Sequence, residues 1–195
     1  SRKITSLVRV GVGLIFVLIP LAFYPEFLYP FTTAKVILFQ VLVEIVFSLW
    51  LINFLTHEHL ELPLTRVTAA LFMLLIVLSA TAFLGLNAEK SLWGLMDRGT
   101  GVVLLWHLFA LFLVMTSLRQ EIGFAWFASL NVATGTAVSV LGVLQRFVWW
   151  PSSLAVSPFE RTSATFSNAP FLAGYLLFIV FLGVWLARES KNGAL

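Results

Sequence analysis

There is no cysteine among these 195 residues, which excludes disulfides, thiolate nucleophiles and thiolate metal ligands. Charge is almost as scarce, at 11% of residues against 60% hydrophobic, and the mean hydropathy is +0.99. A soluble domain of this length needs far more charge to cover its surface, so that class is excluded. The formal net charge of +3 comes without a basic cluster, which removes nucleic acid as a partner. Internal repeats, polar linkers and low-complexity segments are also missing. Acidic residues are nearly absent from the apolar runs, Glu44 being the exception.

What is present is a series of apolar runs of membrane-spanning length, at 6–24, 36–55, 67–86, 102–118, 123–147 and 171–187. They predict an all-α, polytopic transmembrane helix bundle of about six spans, forming a single transmembrane domain over 1–195. The first run has no small-residue cleavage site, so it reads as a span rather than a signal peptide. Pro20 predicts a kink near its outer end. Arg2, Lys3 and Arg9 precede or open the first span and put the N-terminus in the cytoplasm; six spans return the C-terminus there. On that topology seven basic residues lie inside and five outside (Lys35, Lys90, Arg98, Arg146 and Arg161). The orientation rule should have thinned those five. A first residue of Ser1 and an end soon after an apolar run suggest a fragment.

Polar residues within the spans have modest readings. Gln40, Glu44 and Ser48 share one helix face, and Glu44 is expected to be a buried interhelical contact rather than a proton relay. His107 is read as solitary and structural. Ala125, Ser129, Ala133 and Ala137 recur at a spacing that lets helices approach, and predict a packing face. His57, Glu58, His59 and Glu61 offer too few ligands for a closed metal site and read as a solvated loop. No metal site, cofactor site or catalytic residue is assigned.

The outer loops carry the chemistry. Lys35 opens the second span; Lys90, Arg98, Gly94, Gly99 and Gly101 precede the fourth. Arg161 and a run of hydroxyl residues precede the sixth, where Asn168 or Ser167 stands as cap and Pro170 fits the first turn. Cations beside helix N-termini suit phosphate or pyrophosphate. The alternative is snorkelling toward lipid headgroups, with local neutralisation by Asp97 and Glu160.

Three segments, "FTTAKVILFQVLVEIVFSLWL", "SLWGLMDRGTGVV" and "FERTSATFSNAPFLAGYLL", resemble in that order the N-terminal half of the O-antigen ligase and O-antigen polymerase family. The resemblance implies a multi-pass protein of the bacterial inner membrane. It implies transfer of a glycan from an undecaprenyl-diphosphate carrier to an acceptor, in lipopolysaccharide or related cell-envelope biosynthesis. It also implies that Lys35, Arg98, Arg161 and Asn168 bind the carrier diphosphate, with Arg98 and Arg161 acting on one ligand. The family often has Gly-Asn-Pro-Asn where this chain has Ser167-Asn168-Ala169-Pro170. Its catalytic loop lies in a second half that the resemblance does not cover, so the partners implied are the bilayer, the lipid-linked glycan and that missing half. Two other classes remain: a transporter or flippase for a lipid-linked or anionic substrate, and a non-catalytic scaffold or sensor.

Overall fold

An apolar run placed in hydrocarbon must satisfy its own backbone, which leaves the helix as the local solution. The computed structural model describes residues 2–56, 64–95, 99–147, 161–166 and 168–191, and every regular element among them is a helix. In chain order these are α1 (Arg2–Leu21), α2 (Thr32–Thr56), α3 (Arg66–Leu84), α4 (Ala88–Trp93), α5 (Val102–Ser117), α6 (Arg119–Ile122), α7 (Phe124–Phe147) and α8 (Ala169–Lys191). Five of them, α1, α2, α3, α7 and α8, are long and apolar enough to cross a membrane; α5 is apolar but has only 16 residues. The chain is thus a polytopic helical bundle. Its contacts divide it into two compact units, Ser1–Ile15 with Val36–Ile122 and Phe16–Lys35 with Gly123–Leu195.

In the first unit α2 buries Phe39, Val43, Val46, Trp50 and Asn53, a single stripe at alternating spacings of four and three. Gly11 of α1 sits where an added Cβ would strike the Val46 side chain, so the two helices meet closely there. The Asn53 amide donates to the Thr5 hydroxyl at 3.2 Å, giving a polar group in an apolar helix a partner on the neighbouring one. On α3 and α5, Trp106 donates its indole N–H to Ser79 at 3.0 Å and stands edge-on to Phe72. Asn87 caps α4 by accepting from the Lys90 N–H at 2.9 Å, and Gly94 ends it with a φ of +81°. Gly101, at the start of α5, lies against the backbone of Leu92 and Gly94 so closely that no side chain fits. Gly94 and Gly101 therefore let the end of α4 lie directly against the start of α5.

In the second unit α7 lies along α8. The buried face of α7 is Ala128, Asn131, Thr134, Gly135, Val138, Gly142 and Gln145. This corrects the packing face expected from the sequence, since Ala125 is half-buried while Ser129, Ala133 and Ala137 are exposed. Close approach rests instead on glycines of the buried face. At Gly135 a Cβ would lie 2.6 Å from two atoms of Ile179, so only a bare backbone admits that side chain. Polar side chains in the spans turn inward on their own helices. Thr116, Thr134, Thr136 and Ser139 donate to the carbonyl four residues earlier, and Asn131 does the same with its amide.

The end of α1 also differs from expectation. Pro20 does not kink a helix running on to residue 24; α1 stops at Leu21, one residue later. Ala22 closes the last turn by donating to the carbonyl of Leu18 at 2.8 Å. The carbonyls of Ile19 and Pro20 belong to the last turn, where a helix leaves accepting capacity to spare; Ile19 takes only a long bond, 3.3 Å, from the Ala22 N–H.

Candidate functional site

A lysine in the first turn of a helix opposes that helix's dipole, so Lys35 near the start of α2 needs compensation from elsewhere. It comes from α1. The Lys35 ammonium donates to the carbonyl of Ile19 at 2.7 Å and to that of Pro20 at 2.9 Å. These are last-turn carbonyls at the negative end of α1, where a cation is favoured. Two of its three N–H groups are thereby engaged, and the ammonium also lies 5.1 Å from the ring centroid of Phe166.

Phe166 belongs to residues 161–166, ahead of α8, which are held down at two points and closed by a turn of their own. The Thr165 hydroxyl donates to the carbonyl of Pro20 at 2.5 Å. The Ala164 N–H donates to the side-chain oxygen of Gln145, buried on α7, at 2.8 Å. The Phe166 N–H closes a turn onto Ser163 at 2.8 Å. Ala164 takes a φ of +48°, a left-handed conformation that L-residues other than Asn and Asp seldom adopt. It is held there by burial with Val138 and Leu172, against which Leu21, Phe166, Tyr175 and Leu176 pack. Thr162 and Ala164 both lie over Gly142, where a larger residue would crowd Thr162. Residues 162–166, with the hydroxyls of Thr162, Ser163 and Thr165, are thus a docked segment rather than a solvated loop.

Lys35 is brought onto the segment that carries Arg161 and Asn168, although most of its hydrogen-bonding capacity goes to the end of α1. Arg161 is exposed and makes no hydrogen bond or ion pair with any described residue. Asn168 stands just before α8, and its backbone carbonyl accepts from Phe171 at 3.1 Å and Leu172 at 3.2 Å. Its position is that of a cap, but its side chain bonds to no described residue. Arg98, Asp97, Glu160, Ser167 and the segment holding His57, Glu58, His59 and Glu61 lie outside the described residues.

Sequence reasoning treated Glu44 and His107 separately, and the structure pairs them. His107 Nε2 lies 3.1 Å from a carboxylate oxygen of Glu44, joining α2 to α5. The expected interhelical contact is there, but it is not buried: the Glu44 side chain is 68% exposed and that of His107 15%. The missed signal was that each is the lone ionisable residue within its apolar run, and such residues tend to meet across helices. Between α3 and α5 there is also an open hollow of about 220 Å³, lined only by leucine and phenylalanine, among them Leu75, Leu78, Leu105 and Phe109. It offers nothing to a diphosphate or a sugar. Among the described residues no cluster of three or more His, Asp or Glu is placed to hold a metal ion. No protein-family model, curated protein or solved structure matches this chain.

Proposed function

We propose that this chain carries part of the lipid-diphosphate site of a bacterial inner-membrane glycan ligase or polymerase. Such an enzyme moves a saccharide from an undecaprenyl-diphosphate carrier to an acceptor in lipopolysaccharide or related envelope biosynthesis. The observation that carries the reading is the meeting of two of the three family-like segments. Lys35 of "FTTAKV" rests on Phe166 of "RTSATFSN", and both are fastened to the end of α1. That anchoring leaves Arg161 exposed on a braced segment shortly before α8, where the helix N-terminus adds a partial positive charge.

In this scheme Arg161 grips phosphate oxygens through its planar fork. Lys35 lends a nearby point charge through its remaining N–H, and Asn168 offers its amide. Their chemical contribution is to stabilise the diphosphate as it departs; an acceptor hydroxyl must be activated by a base outside this set. The test is binding of an undecaprenyl-diphosphate glycan to the full-length protein. Arg161→Lys keeps the charge and loses the fork, which is worth on the order of 1.5–3 kcal/mol, or about tenfold or more in affinity. Unchanged affinity in Arg161→Lys and Arg161→Gln alike rejects the reading.

One observation favours a second reading, a transporter or flippase for a lipid-linked or anionic substrate. Glu44 and His107 form an ionisable pair inside apolar helices, as coupled transporters require. Reconstitution in liposomes separates the two: movement of the lipid-linked substrate without glycosidic transfer selects the transporter.

A further inference from the structure

We infer that Glu44 and His107 together form a proton-binding site that joins α2 to α5 only while one proton occupies the gap between them. The other nitrogen of the ring fixes the tautomer. His107 Nδ1 lies 2.7 Å from the carbonyl oxygen of Val103. A carbonyl can only accept, so Nδ1 carries a hydrogen. A neutral imidazole has a single N–H; with it at Nδ1, Nε2 presents a lone pair toward Glu44. The 3.1 Å contact between Nε2 and the Glu44 oxygen is then a hydrogen bond only if one more proton is present. That proton sits either on Nε2, giving imidazolium and carboxylate, or on the Glu44 oxygen, giving neutral imidazole and carboxylic acid. In both forms the gap holds one hydrogen. Its release to water leaves a lone pair facing a carboxylate and a net charge of −1 on the pair, with no electron transferred and no other bond changed.

Placement makes this a site and not only a strut. Glu44 is at the midpoint of α2, and His107 is in the first half of α5. The mostly buried imidazole, fixed by Val103, does not turn away from the carboxylate, so the two groups share the gap. No further ionisable residue lies on α5, and the other one on α2, Lys35, is more than two turns earlier. The elements packed around the pair bring Lys3 and Arg9 on α1, Arg66 on α3, Glu89 and Lys90 on α4, and Arg119 and Glu121 on α6. Neither Glu44 nor His107 has another ion-pair partner among the described residues. The inference stands whichever of the two functions the protein performs.

The experiment is histidine ¹⁵N NMR of the full-length protein in lipid nanodiscs across a pH titration, with His107→Gln identifying the His107 signals. The expected result is an Nδ1 that stays protonated at every pH and an Nε2 that loses its proton in one transition. Glu44→Gln should change that transition, because the group that shares the proton with Nε2 is gone. The Gln amide can donate to the bare Nε2, so the helix contact itself survives the exchange without a proton. A bare Nδ1, or a midpoint unmoved by Glu44→Gln, overturns the proposal. Infrared difference spectra of the wild type keep the question decidable if the variant does not fold. The carboxyl band of Glu44 and the imidazole bands must change at one shared midpoint; two separate midpoints would sink the idea.

Discussion

The carbonyl of Pro20 accepts a hydrogen bond from the hydroxyl of Thr165, 145 residues further along the chain. The same oxygen accepts from Lys35, so one helix end gathers a proline, a lysine and a threonine from three separate segments. Thr165→Val preserves shape and removes one donor. Because Lys35 still satisfies the carbonyl, the expected loss is about 0.5–1.5 kcal/mol, read as a lower thermal midpoint in detergent.

Lys35→Met should lose more. It strips a charge-assisted donor from two carbonyls at the negative end of α1, and such bonds are worth about 1.5–3 kcal/mol each. The readouts separate its two roles. A fall in thermal midpoint without a change in lipid-diphosphate affinity makes Lys35 purely an anchor, and weaker binding at unchanged stability makes it a ligand.

Ala164 is the most conformationally demanding position described. Ala164→Gly removes the left-handed penalty of about 1–2 kcal/mol and gives up a buried methyl worth about 0.8 kcal/mol, leaving stability nearly unchanged. Ala164→Val adds β-branching at φ +48° within a packed cluster and should destabilise by more than about 2 kcal/mol. Gln145→Leu removes the acceptor of the buried Ala164 N–H and should cost about 1–3 kcal/mol, while Gln145→Glu retains an acceptor and should fare better. Denaturation of the four variants side by side checks the order.

Gly135→Ala places a methyl into Ile179 and is expected to destabilise the α7–α8 contact by about 1–3 kcal/mol. Ile179→Ala opens the space, so the double variant should lose less than the sum of the single losses. Strict additivity would show that the two residues do not meet.

Both termini are expected on the cytoplasmic side, with the Arg161 segment outside. Reporter fusions after Lys3, within the segment around Arg161 and after Asn192 test this directly. An externally active fusion at either end reverses the siting of every outer cation.

The helices were legible because uninterrupted apolar runs leave the backbone no other way to bond, and the hydroxyl-rich segment before α8 stood out against so little polarity. Contacts between helices were much less so. Ala125, Ser129, Ala133 and Ala137 had the right spacing on the wrong face, because the decisive feature was two glycines, Gly135 and Gly142, and not a stripe of small side chains. Glu44 and His107 are 63 residues apart, and periodicity within one helix cannot say which residue of another it meets. Lys35 did leave a local sign, a cation at the wrong end of a helix dipole. The sign shows that compensation exists without showing that α1 provides it.

The brevity of α5 has a consequence for the surrounding lipid. At about 1.5 Å per residue its 16 residues extend roughly 24 Å, against a hydrocarbon layer of about 30 Å. Against such a layer, a helix this short is met by local thinning of the bilayer, by flanking side chains that snorkel to the headgroups, or by association with other helices. Acyl-chain length then becomes a variable acting on this protein, with short-chain lipids the better solvent for α5 and thick membranes the more strained one.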